Sequence, residues 1–165
     1  MKPIPMCLLI FVIAGIVHAK DNPSHLIQIR LNDSITHLEG REEHCYADEN
    51  VLPEDTLHNV ALDPEQKKVV LSYFYFKNIT DCTEEAVKSY LLEAALLASL
   101  APDRADDIRD GNELIIHTHL AKARAEANYL TLPRHVREKL EQIAILQRPF
   151  NLGLSAKVII PANQR

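Results

Sequence analysis

Residues 83–100 constrain the fold more than any other stretch of the chain. Thr83 is a good helix cap, and Glu84 and Glu85 oppose the positive end of a helix dipole. Val87, Tyr90, Leu91, Ala94 and Ala98 form one stripe, and Leu92, Leu96 and Leu97 fill the other sides. Beyond Tyr90 only Glu93 and Ser99 are polar. A helix that is apolar nearly all round is normally covered by neighbours, so this segment reads as a central helix ended by Pro102.

Its neighbours carry the same period. Asp63, Pro64 and Gln66 form a helix start, with Asp63 as cap, Pro64 at the first position and Gln66 at capping-box spacing. Val69, Val70, Tyr73 and Phe74 then share a face, although KVVLSYFYF is also rich in strand formers. Residues 102–110 suit a short acidic helix stopped at Gly111. Asn112 caps the next helix, 113–130. Its stripe Ile116, Leu120, Ala123, Ala127 and Leu130 steps by 4, 3, 4 and 3, and the alanines imply close approach to a neighbour. A last helix runs from Pro133 to about residue 147, with Val136, Leu140, Ile143 and Ala144 inward.

Strand signals are few. HLIQIRL at 25–31 alternates, Asn32 and Asp33 read as a turn, and 34–38 is a partner strand. Residues 40–55 are polar loop, and Asn78 falls in an exposed turn. Lys157, Val158, Ile159 and Ile160 suit a strand in an otherwise irregular tail. Four glycines in 165 residues argue against a turn-rich all-β sandwich. The expected fold is mainly α: a small bundle of about four helices with a minor β-hairpin near the mature N-terminus.

The first 19 residues set where the mature chain is expected to begin. A Lys2 start leads into residues 6–17, MCLLIFVIAGIV, and then Val17-His18-Ala19. A charged start, a short apolar run and a small-x-small ending are the parts of a secretory signal, cut between Ala19 and Lys20. The apolar run is shorter than the roughly 20 residues a membrane span needs. The expected organisation is a signal peptide at 1–19 and a single secreted domain at 20–165. Within it, 20–62 is loop- and strand-rich, 63–147 helical and 148–165 an irregular tail.

The cut changes how other residues read. Cys7 leaves with the signal, so Cys45 and Cys82 remain and pair most simply as a disulfide. Closing that loop of 36 residues is worth about 4 kcal/mol on the chain-entropy model. Loss of Lys2 takes the net charge from −5 to −6. A net negative chain with no dense basic cluster is a poor partner for nucleic acid or anionic lipid. Asn32-Asp33-Ser34 and Asn78-Ile79-Thr80 become N-glycosylation acceptors in a eukaryotic secretory pathway.

Motifs for chemistry are weak. His117 and His119 would share a face on a strand but not on a helix, and spacing supplies no third zinc ligand. Placing Asp106, Asp110 and Gly111 in a calcium loop puts Ile108 and His117 where oxygen ligands belong. Asp103, Asp106, Asp107 and Asp110 read as a solvated face. No nucleophile elbow, H-E-x-x-H or phosphate-binding glycine loop occurs. The expectation is a secreted, non-enzymatic protein without cofactor. It acts by binding an extracellular protein, a matrix or an apolar small molecule. One alternative is a carrier holding an apolar ligand in a cavity lined by the 83–100 helix with Val69, Tyr73, Phe74 and Ile116. The other is a secreted metal-dependent hydrolase using His117 or His119.

Overall fold

The computed structural model describes residues 23–46, 50–102 and 108–160. Five α-helices account for most of them: α1 (Pro23–Tyr46), α2 (Pro64–Leu100), α3 (Arg109–Leu130), α4 (Arg134–Glu141) and α5 (Leu152–Ile159). Short 3-10 turns lie at Glu54–Leu57 and Ala144–Gln147. The chain is mainly helical, as its sequence indicates, but no strand occurs among the described residues.

Both expected strand regions are helical. The 25–31 and 34–38 hairpin is replaced by α1, which continues past Gly40 to Tyr46. The alternation in HLIQIRL covers too few residues to reveal the longer period. Ile27, Leu31, Ser34, Leu38 and Cys45 are buried at helical spacing, and Leu26 and Ile29 are exposed. Residues 157–159 form the end of α5, with Ile160 just past it, and Asn151 caps the helix by accepting from the Leu154 amide at 2.9 Å.

α2 is the axis of the molecule, 37 residues and about 55 Å long. Its start is the one expected. Asp63 Oδ1 accepts from the Gln66 amide at 2.8 Å, and Gln66 Oε1 accepts from the Asp63 amide at 3.1 Å. The expected break near Thr83 is absent, and two anticipated helices are one. Thr80 and Thr83 donate their hydroxyls back to the carbonyls of Phe76 and Ile79, at 2.8 and 2.9 Å. Back-bonding of this kind satisfies a hydroxyl inside a helix, so the residue that looked like a cap sits in the interior.

Further along, α3 begins at Arg109 and runs through Gly111 and Asn112, so neither stops nor caps it. Asp103, Asp106 and Asp107 lie outside the described residues. The last expected helix ends at Glu141, and the chain tightens into a 3-10 turn that leaves Ala144 exposed and buries Leu146.

Two cores share α2. The first surrounds Val70, Leu71 and Phe74, closed by Leu52, Leu57, Tyr129, Leu140, Leu146, Phe150 and Ile159. The second surrounds Ala86, Tyr90, Ala94 and Leu97, against Ile27, Leu31 and Leu38 of α1 and Ile115 of α3. Between them Cys45, near the end of α1, is bonded to Cys82 in mid-α2, with Cα atoms 6.2 Å apart. Arg41 of α1 donates to the Cys82 carbonyl at 2.9 Å. Buried Glu93 of α2 is reached by Arg30, an exposed side chain of α1, and the ion pair joins the two helices beside the second core.

Candidate interaction surface

The residues singled out for chemistry stay apart. His117 and His119 lie on helical α3, where positions two apart diverge. Among the described residues no group of three or more His, Cys, Asp or Glu side chains is placed to hold a metal. The Ala19–Lys20 junction lies outside the described residues. Asn32 is exposed on α1 and not at a hairpin tip. Asn78 is in no turn: it is 5% exposed within α2. Its carboxamide donates to the carbonyls of Leu146 at 2.9 Å and Arg148 at 2.7 Å. It thereby fixes the 3-10 turn after α4 to the middle of α2. Ser155 ties α5 to the segment before the first 3-10 turn: its buried hydroxyl accepts from the Leu52 amide at 3.0 Å.

An aromatic cleft lies where α2, α3 and α4 meet. The rings of Tyr73 and Tyr129 stack at 3.9 Å and 7°, and Phe74 meets Tyr129 edge-on at 5.7 Å. Beside them is an open cleft of about 270 Å³, bordered by Glu126, Leu130, Arg134, Arg137, Glu138 and Glu141. The Tyr129 hydroxyl donates to Glu141 Oε1 at 3.1 Å, with the Arg137 carbonyl at 3.3 Å. Burial, then the negative Glu141, push the Tyr129 phenol well above the ordinary tyrosine range. Tyr73 is pushed the same way by burial, Glu141 and Glu126. Both shifts favour the neutral phenol, so the cleft offers a hydrogen-bonded aromatic wall. A second open recess, about 520 Å³, is bordered by residues including Glu54, Asp55, His58 and Lys67. Of the side chains expected to line an apolar cavity, Phe74 is fully buried in packed core and Ile116 is on the outside.

No protein-family model, no curated protein and no solved structure matches this chain.

The clearest surface feature is α3. Its expected inward stripe faces out: Ile116, Leu120 and Leu130 are 54%, 49% and 55% exposed, and Ala123 and Ala127 are exposed between them. The face turned to α2 carries Ile115, Ala125 and Tyr129 instead. Two stripes of helical period therefore run along α3. The less apolar one is buried because Tyr129 stacks on Tyr73 and Ile115 reaches the second core. α2 adds Leu91, Leu92 and Leu100 to the exposed apolar side chains of this half. Sequence period alone located the stripe and assigned it to the wrong side.

Proposed function

We propose that the chain is a secreted, non-enzymatic interaction protein, and that the outer face of α3 is its binding surface. The observation that carries this reading is the exposed stripe Ile116–Leu120–Ala123–Ala127–Leu130. Scattered surface leucines are ordinary, but a continuous apolar seam at heptad spacing is a helix-docking pattern. The residues 1–19 supply the export signal, and the Cys45–Cys82 disulfide suits an oxidising compartment. Asn32, exposed on α1, is the proposed glycan acceptor. A glycan on Asn78 would have to sit where a carboxamide is buried and both its N–H groups are engaged.

Expression of the full chain in a eukaryotic secretory cell tests this. The expected product in the medium begins at Lys20, is oxidised at Cys45 and Cys82, and carries sugar at Asn32 only. A hydrophobic fluorescent dye should bind the dilute native protein and lose most of that binding in Ile116→Glu/Leu120→Glu. Retention in the cell with residues 1–19 uncut would contradict the export reading. Unchanged dye binding by the double variant would contradict the surface reading.

A further inference from the structure

We infer that the occupant of this seam is a second copy of the chain, with two α3 helices packed antiparallel; this deepens the proposed surface and rests on it. The spacing sets the geometry. Ile116, Leu120, Ala123 and Ala127 occupy successive seam positions of a heptad. Antiparallel pairing about a dyad between residues 121 and 122 sets Ile116 against Ala127 of the second copy and Leu120 against Ala123. Each of these four layers then joins one large and one small side chain, which lets the helices approach closely; Leu130 lies beyond them, level with Glu113 of the second copy. A parallel, in-register pair would set Ile116 on Ile116 and Leu120 on Leu120 but Ala123 on Ala123 and Ala127 on Ala127, two wide layers followed by two narrow ones.

Charge agrees with the same choice. Along one flank of the seam the antiparallel pair places Glu126 opposite His119 of the second copy, so an acid meets an imidazole donor at both ends. Along the other flank Arg124 meets His117, which adds no attraction. A two-fold symmetric contact of this kind is self-complementary and closes at two copies. One helix face per copy is a small interface, so the dimer should be weak, with Kd on the order of micromolar.

Sedimentation velocity over a micromolar to sub-millimolar series reads this directly. The wild-type chain should shift from one to two copies, and Ile116→Glu/Leu120→Glu should stay monomeric throughout. Matching of large to small separates this contact from general stickiness. Ala123→Leu alone should weaken association at least about tenfold by overpacking the layer. Adding Leu120→Ala to it exchanges large for small and should restore the dimer. A wild type that stays monomeric, or an Ala123→Leu variant that associates more tightly, would overturn the inference. A monomeric protein that still binds the dye through Ile116 and Leu120 would leave the surface reading intact and remove only the second copy. Orientation is read from a spin label on Thr131→Cys in the dimer. Antiparallel helices separate the two labels by about 28 Å along the axis. A separation near the about 10 Å spacing of parallel neighbours would overturn the arrangement.

Discussion

Val70, Leu71 and Phe74 sit in a core closed on several sides by α4, α5 and two 3-10 turns, whereas Tyr90, Ala94 and Leu97, farther along the same helix, are covered by α1 and α3. The first half of α2 brings aromatic side chains of its own, and Tyr129 and Phe150 come from later in the chain. Large rings bury much area from few positions, so short helices suffice around them, provided that hydrogen bonds fix their backbones. Asn78 and Ser155 supply those bonds. The second half is rich in alanine, which permits close helix packing but fills little volume. It needs two long helices, and those helices leave apolar side chains outside on α2 and α3. One half is thus closed by local devices, and the other carries the more exposed of the apolar side chains.

The largest test of this contrast removes a ring. Phe74 is fully buried, and Phe74→Ala should destabilise the fold by about 3–5 kcal/mol in urea unfolding. A loss under about 1 kcal/mol would mean that the aromatic core is not the tight half. Next is the staple between the halves. Cys45→Ala/Cys82→Ala should lose up to about 4 kcal/mol, less any structure retained in the unfolded chain. Replacing Asn78 by Ala leaves the Leu146 and Arg148 carbonyls without their donor, so the expected cost is about 2–3 kcal/mol. Hydrogen exchange in that variant should speed up in residues 144–148 and leave α1 unchanged.

A smaller effect appears only in alkali. The Tyr129 phenol is raised in the folded state, so between the ordinary tyrosine value of about 10 and the folded one the native chain holds a proton that the unfolded chain has lost. Stability from this group is complete below pH 10 and falls as pH rises beyond it. Tyr129→Phe should flatten that decline in thermal unfolding measured from pH 9 to 11. An equally steep decline in the variant would remove Tyr129 as its cause.

How much of this was legible in the sequence depended on how far each pattern reached. The capping box at Asp63 and Gln66 is complete within four residues and appears as read. The Cys45–Cys82 pair followed from having two cysteines to join. The 25–31 alternation failed because a helix with Leu26 and Ile29 on its exposed side looks like a strand over seven residues. Thr83 failed because the same hydroxyl that caps a helix can also back-bond within one. Asn78 was hidden because its partners, Leu146 and Arg148, lie about seventy residues away. The α3 stripe was found but turned the wrong way. Period reports which residues share a face, and only the rest of the fold decides what that face meets.

A binding surface on α3 requires that its stripe face outward. Its most direct test is the urea-unfolding free energy of Ile116→Ser/Leu120→Ser, measured dilute enough for the chain to be monomeric. An outward stripe predicts a change within about 0.5 kcal/mol of wild type, as for ordinary exposed positions. A loss of about 4 kcal/mol or more, as expected when two core side chains are cut back, would place the stripe inside and leave α3 without a binding face.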